Sequence, residues 1–582
     1  MNPSTALATT MVDELVRQGV RHVVVCPGSR SAPFAYAVQA AERAGRLTMH
    51  VRVDERSAAF LGLGLAKLTR VPAVVVTTSG TAVANLHPAV LEAHHGVVPL
   101  LVLSADRPVE LRRTGANQTT VQPGMFGDAA RAEFDVEAPT SDDLVGAEAG
   151  SWRAVVGSAV AASRGVGSEP GPVHLNVQLR EPLVPDADEA GPADTVGKAG
   201  TLGGAESLGQ QGGSRPSAFP AATGAGDGVQ QLDEFDPTIE RTLVVVGDLP
   251  EPGQFEQAVA WASAHGWPAV AEPFGDHPRP GVIPGGPLVL SDPGWLDAHA
   301  PDRVVTVGRL TLSRPVSALL RRPGVIVEAV AAHQWIVNRP KEIRTHPASL
   351  LDQRPRRPRD TSWADEWRTV GHRVAAALAE QPPAWPTGTA VAATVLGALP
   401  DNAVLFLGSS NGVRDVDYLA GGRTRPLTVV ANRGLAGIDG CVSTAAGIAL
   451  AGDGPAYALM GDLTFLHDAN GLLVGPLEHQ PDLTIVVVND DGGGIFTTLE
   501  PGAPELAEDF ERVFGTPTGT DLAALCAAHH VRHVLAESPD QLTTAVTEQP
   551  HGLTVVEVPV DRSTHRTERD RLRAVATKAL RQ

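Results

Sequence analysis

The sequence predicts an α/β protein of three doubly wound, parallel-sheet domains, and three observations carry that prediction. Short, almost wholly apolar runs recur through the 582 residues and end in turn residues, as strands buried on both faces of a parallel sheet do. Helical segments alternate with them. The length far exceeds what one core supports, and at about 150 residues per domain it calls for three or four, of which three fits the runs best.

The opening MNPSTALATTMVDELVRQGV reads as an amphipathic helix rather than a signal peptide. Residues 23–26, 50–53, 71–77, 99–104 and 173–177 are the predicted strands of a first domain over 1–185, and 57–67 a helical run. Residues 186–240 are dominated by Gly, Ala, Ser, Asp and Gln without a sustained apolar period, so a flexible linker is expected there. From Thr242 the runs TLVVVG, PAVAEP, RVVTVG and GVIVEAV predict a middle domain over 241–380, with the Pro- and Arg-rich RPRRPRD near its end. The runs AVLFLG, LTVVAN, AYALMG, LTIVVVN and LTVVEVP supply a third domain over 385–582, with a helix closed by His529 and His530 between the last two.

The formal net charge of −19 and the lack of a basic stripe interleaved with aromatics argue against a nucleic-acid surface and for small-molecule chemistry. Cys26, Cys441 and Cys526 are odd in number and far apart, so neither a disulfide framework nor a zinc site is indicated, and a reducing cytoplasm fits. No run approaches the roughly 20 apolar residues of a membrane span.

Two strand ends carry the chemistry. Gly461-Asp462 follows one apolar run and Asn489-Asp490 the next, so both carboxylates fall where open parallel sheets bind ligands. A lone Gly-Asp is more often a plain turn. The pair, about thirty residues apart, suits a hard cation such as Mg²⁺, which takes one or two carboxylates, a carbonyl such as that of Gly492, phosphate oxygens and water. This spacing resembles the signature of thiamine-diphosphate enzymes, which also need a distant glutamate. Glu55, after the run 50–53 and before TTSGTAVANL, matches it; read without the resemblance, it is a helix-start carboxylate. In that family the glutamate hydrogen-bonds the aminopyrimidine ring nitrogen and so activates the cofactor. It does so across a subunit boundary, which implies a homodimer or homotetramer.

Five arginines follow predicted strands at loop positions: Arg30, Arg107, Arg314, Arg414 and Arg433. A guanidinium grips a carboxylate bidentately, so converging arginines suit substrates with several carboxylates. With them, CPGSRSAPF, SGTAVANLHPA, SADRPVEL, TGANQT, GRLTLSRP, NRGLAGIDGCVSTAAG and NDDGGGIF resemble the 2-succinyl-5-enolpyruvyl-6-hydroxy-3-cyclohexene-1-carboxylate synthase family. The resemblance covers both terminal domains, while the linker and most of the middle domain match poorly. It implies thiamine diphosphate with Mg²⁺ or Mn²⁺, decarboxylation of 2-oxoglutarate and addition of the succinyl unit to isochorismate in menaquinone biosynthesis.

Carried over position by position, the resemblance makes Glu55, Arg30, Arg107, Gln118, Arg414 and Arg433 the catalytic set. Asp462, Asp490 and the Gly492 carbonyl are its metal ligands, and Ser410, Ile438, Gly461 and Leu463 join Glu55 and the two aspartates around the cofactor. Ile438 is the apolar prop that bends it. Ser410, Arg414 and Arg433 match the oxo-acid side; Ser29, Arg30, Arg107, Asn117, Gln118 and Arg314 match the isochorismate side. Ile495, Phe496 and Leu499 wall the pocket, although an apolar trio at this spacing is more commonly core. Two departures stand out. Asp490 replaces the asparagine common at the second metal position, and Ser313 stands where some relatives carry lysine. His94 and His95, at the end of a helical run, are read as structural. An acetohydroxyacid-synthase-like enzyme with flavin is opposed by the arginines and GANQ, and a non-catalytic scaffold by Glu55 with the paired metal motif. A nucleotide-binding module lacks its glycine-rich motif.

Overall fold

The computed structural model describes residues 1–140, 148–186, 235–249, 251, 253–330, 343–353, 355, 360–419, 421 and 423–582. Most of the linker expected over 186–240, and most of RPRRPRD, lie outside the described residues. The described residues form three sheets. The chain divides into two compact units, one of Met1–Ala58, Val71–Val90 and Pro99–Gly226, the other of Ala59–Arg70, Leu91–Val98 and Asp227–Gln582.

The first unit holds an all-parallel sheet of β1 (His22–Val25), β2 (Thr48–Val51), β3 (Ala73–Thr77), β4 (Leu100–Asp106), β5 (Ala132–Val136) and β6 (Pro172–Gln178), in the order β2-β1-β3-β4-β6-β5. Strands β3, β4 and β6 are buried along their whole length; β3 and the start of β4 read as apolar runs, while β6 carries the buried polar residues His174, Asn176 and Gln178. Edge strand β5, AEFDV, is half-exposed and carries two acids, so periodicity did not reveal it. The predicted N-terminal helix runs Pro3–Arg17; Asn2 caps it by accepting the Thr5 N–H at 3.0 Å, and Leu7, Met11 and Leu15 pack into the core with Val23, Val74, Leu101 and Leu175.

The second unit holds the other two sheets. One is parallel, with β7 (Thr242–Val246), β8 (Ala269–Ala271), β10 (Arg303–Val307), β11 (Ile326–Val330) and β12 (Arg344–His346) in the order β12-β11-β10-β7-β8. The other orders β17 (Arg532–Leu535), β18 (Leu553–Pro559), β16 (Leu483–Asn489), β15 (Ala456–Gly461), β13 (Ala403–Leu407), β14 (Leu427–Ala431) and β9 (Gly275–His277). Strand β9 lies within the span read as the middle domain yet pairs antiparallel with β14. It, β12 and β17 are three- or four-residue strands without an apolar run, and none was foreseen. The helix expected before His529 is Leu522–Ala528.

In the first sheet β1 lies between β2 and β3, and in the third β13 lies between β14 and β15, so the order in which parallel strands are added reverses beside β1 and β13. The loops leaving such neighbours diverge and open a crevice at the carboxyl edge. The three cysteines are buried and unpaired, and no described helix is long and apolar enough to cross a membrane.

Candidate active site

In the first unit, the loops after β1, β2, β3 and β4 carry Ser29 and Arg30, Glu55, Ser79, and Arg107 at one edge of the sheet. The turns are tightly fitted: a Cβ on Gly28 would lie 2.3 Å from that of Thr78. Arg107 donates to Ser79 Oγ at 2.6 Å and to the Gln118 carbonyl at 3.0 Å, and Ser79 Oγ donates to the same carbonyl at 2.9 Å. Gln118 itself has φ +52°, a strained conformation for a residue with a side chain. Arg30 donates to the Leu179 carbonyl at 3.0 Å, while its buried Nε has no partner among the described residues. Burial and the nearby charge of Arg107 lower its pKa. Two neighbouring guanidinium groups, one with an unpartnered N–H, suit an anionic ligand. Ser29, Asn117 and Gln118 are at least partly exposed. Glu55 starts the helix Glu55–Thr69 and is half-buried, with Asn85 Nδ2 3.4 Å from its carboxylate.

In the second unit, Asp462 opens the helix Asp462–His467 directly after β15 and is 3% exposed. Burial first, then the charge of Asp490, push its carboxyl up to about 7, against the pull of the Leu463 and Gly492 N–H groups. Asp490 follows β16. His565 Nε2 lies 2.7 Å from its Oδ2, while its buried Oδ1 has no partner among the described residues. Glycine is forced in the run 492–494: an added Cβ would lie 1.9 Å from the Gly515 carbonyl, 2.0 Å from that of Phe514 and 1.8 Å from Asp490 Oδ2, respectively. The Gly492 carbonyl accepts the Gly494 N–H at 3.0 Å, which leaves one lone pair. Two close carboxylates, an orphaned carboxylate oxygen and a side-chain-free cradle fit a hard divalent cation. No group of three or more His, Cys, Asp or Glu side chains suited to a metal occurs among the described residues. A site completed by diphosphate oxygens and water has no such group.

Arg414 is not on a loop, as expected, but one turn inside the helix Asn411–Leu419, donating to the carbonyl of Ser410. Arg314 is likewise the first residue of the helix Arg314–Leu320, capped by Ser313 Oγ on the Val316 N–H at 3.4 Å. Burial, and after it the charges of Arg569, Arg433 and Arg314, lower Arg414 to about 10. At neutral pH it therefore remains charged within a cluster of like charges. Ser410 has φ +88°, another strained position at this edge. Arg433 is largely engaged, giving Nε to Thr311 Oγ1 at 2.9 Å and Nη2 to the Thr311 carbonyl at 2.7 Å. Arg314, matched to the isochorismate side, lies in this unit, whereas Ser29, Arg30, Arg107, Asn117 and Gln118 lie in the first. Ile438 is half-buried on the loop after β14, and Ile495, Phe496 and Leu499 are half-buried just past the glycine run.

Sequence reading missed four residues. Buried Glu272 accepts the N–H groups of Thr311, Leu312 and Ser313 at 3.1, 2.7 and 3.1 Å and so fixes GRLTLSRP. Glu92 does the same for the loop bearing Arg433. His565 and Arg569 lie four apart on the helix Thr564–Leu580, and Arg569 donates to Asn411 Oδ1 at 2.6 Å and Thr498 Oγ1 at 2.9 Å. Their i, i+4 spacing, just past the run LTVVEVP, was the available signal.

The N-terminal and C-terminal TPP (thiamine diphosphate) binding domains of thiamine pyrophosphate enzymes match residues 5–126 and 418–558. Benzoylformate decarboxylase from Polynucleobacter necessarius aligns over 97% of this chain and 99% of its own, with a TM-score of 0.64 at 17% identity, which shows a common fold. The 2-succinyl-5-enolpyruvyl-6-hydroxy-3-cyclohexene-1-carboxylate synthase of Saccharopolyspora erythraea is 46% identical over 588 residues, and that of Kineococcus radiotolerans 46% over 593, each covering 100% of both chains. The synthase of Mycobacterium marinum is 43% identical over 576 residues, covering 97% of this chain and 98% of its own. With that identity sustained from end to end, the chain belongs to the 2-succinyl-5-enolpyruvyl-6-hydroxy-3-cyclohexene-1-carboxylate synthase family of thiamine-diphosphate enzymes.

Proposed function

We propose that this enzyme decarboxylates 2-oxoglutarate and adds the succinyl unit to isochorismate, giving the product for which its family is named, in menaquinone biosynthesis. The observation that carries this reading is the cluster of Arg314, Arg414, Arg433 and Arg569 in the same unit as the neighbouring carboxylates of Asp462 and Asp490, a group of cations together with a candidate cation site. Thiamine diphosphate, when bound, supplies the electron sink that decarboxylation of a 2-oxo acid requires. Asp462, Asp490 and the Gly492 carbonyl would hold Mg²⁺ or Mn²⁺ against its diphosphate, and Ile438 would prop its rings. Glu55 would hold the aminopyrimidine nitrogen of the bound cofactor through a shared proton. Ser410, Arg414 and Arg433 orient the oxo acid; Ser29, Arg30, Arg107, Asn117, Gln118 and Arg314 orient isochorismate. Ile495, Phe496 and Leu499 keep water from the reacting carbon. Holding two anions against one reacting carbon offers up to roughly 7–11 kcal/mol of proximity advantage.

A homodimer or homotetramer is part of this reading, because the family's glutamate acts across a subunit boundary. A cytoplasmic location is supported by the buried, unpaired cysteines. The test is incubation with thiamine diphosphate, Mg²⁺, 2-oxoglutarate and isochorismate, following isochorismate absorbance and product mass. An isochorismate–succinyl adduct that needs every component is the expected result. Release of CO₂ or succinic semialdehyde without loss of isochorismate would overturn the acceptor assignment.

A further inference from the structure

The strands and loops of the third sheet supply the cation ligands, but the C-terminal helix grips the loop that presents one of them. Arg562, two residues before the helix Thr564–Leu580, donates through Nη1 to the carbonyl of Asp490 at 2.9 Å and to that of Asp491. His565, in the helix's first turn, lies with Nε2 2.7 Å from Asp490 Oδ2; the side chains are 6% and 9% exposed. A carboxylate only accepts, so the imidazole presents Nε2–H to it. A Cβ at Gly494 would lie 1.8 Å from Oδ2 and 2.7 Å from Nε2, so this pair forms only over a glycine.

The two oxygens of Asp490 are thereby differentiated. Oδ2 is satisfied by the imidazole, and Oδ1 is buried without a partner among the described residues, available to a cation. Asp490 stands where many thiamine enzymes carry asparagine, whose amide offers one acceptor oxygen and keeps its NH₂ for other contacts. A carboxylate has two equivalent oxygens and no donor, so an outside donor must select which one faces the ion. Ligand-orienting partners of this kind commonly govern affinity.

We infer that His565 is a positioning residue of the divalent-cation site, fixing Asp490 so that Oδ1 alone faces the ion. The inference rests on the proposed cofactor-bound reading, and its test reads binding, not turnover. Free Mn²⁺ is followed by electron paramagnetic resonance as metal-depleted full-length protein with thiamine diphosphate is titrated, for the parent, His565→Ala, His565→Gln, Asp490→Ala and the His565→Ala/Asp490→Ala double variant. Loss of the imidazole is expected to raise the Mn²⁺ Kd by about 10- to 100-fold. The His565→Gln variant, whose amide N–H has a similar reach, recovers most of that loss. In the Asp490→Ala background His565→Ala changes little. An unchanged Kd in both His565 variants, or an equal loss with and without Asp490, overturns the inference, as does a parent that binds no Mn²⁺. Should His565→Ala not fold, His565→Leu, which fills the space but offers no N–H, takes its place in the same cycle with Asp490→Ala. A parent that binds Mn²⁺ tightly but leaves isochorismate intact counts against the reaction alone, and the variant series still decides the role of His565.

Discussion

Glu92 holds the loop that carries Arg433: its two carboxylate oxygens accept the backbone N–H groups of Gly434 at 2.6 Å and Leu435 at 2.7 Å. The contact is so close that a Cβ on Gly434 would lie 2.4 Å from the Glu92 carbonyl. Burial raises the Glu92 pKa, opposed chiefly by Lys67, so this carboxylate depends on its two N–H donors and on that ammonium. In Glu92→Gln one N–H faces an amide NH₂ and loses its acceptor, at a cost of about 1–3 kcal/mol. A lower midpoint of thermal unfolding and a higher KM for 2-oxoglutarate are expected together. An unchanged KM would separate this brace from the oxo-acid site.

Glu55→Gln is expected to bind thiamine diphosphate as the parent does, while kcat falls by about 10²–10⁴-fold, the usual contribution of a positioned proton-transfer group. Calorimetric titration of the cofactor beside steady-state rates gives both numbers. Near-normal turnover would return Glu55 to the status of a helix-start acid.

Asp462→Ala and Gly494→Ala should both weaken cation and cofactor binding, the first by deleting a ligand and the second by driving a methyl group into Asp490 Oδ2. Stripping the divalent ion with chelator should abolish activity in the parent, with Mg²⁺ or Mn²⁺ restoring it. Asp490→Asn keeps one acceptor oxygen and is expected to lose less than either. Tight cofactor binding by Asp462→Ala in a metal titration would remove that residue from the ligand set.

Arg569→Ala removes one of the charges that crowd Arg414, together with bonds to Asn411 and Thr498. If this guanidinium helps receive an anionic substrate, kcat/KM for 2-oxoglutarate falls by roughly 10- to 100-fold, as loss of a charged hydrogen bond of about 1.5–3 kcal/mol gives. Arg414→Ala should raise the same KM. Saturation curves that stay unchanged while thermal stability drops would make Arg569 a helix anchor only.

The sequence by itself determined the parallel α/β class and the strand ends bearing Asp462, Asp490, Glu55, Arg30 and Arg107. Strands buried on both faces are predominantly apolar, and ligand loops leave their carboxyl ends, so both features are written locally. Short or edge strands such as β5, β9, β12 and β17 were not legible, because their burial depends on neighbours and not on their own pattern. Nor could the sequence show that Arg414 and Arg314 sit on helices, or that Arg433 is largely taken up by Thr311. Only the tertiary structure decided which distant side chains support the site. Glu92, Glu272, His565 and Arg569 act through contacts reaching across 39 to 343 positions of chain, a distance over which local periodicity carries no information.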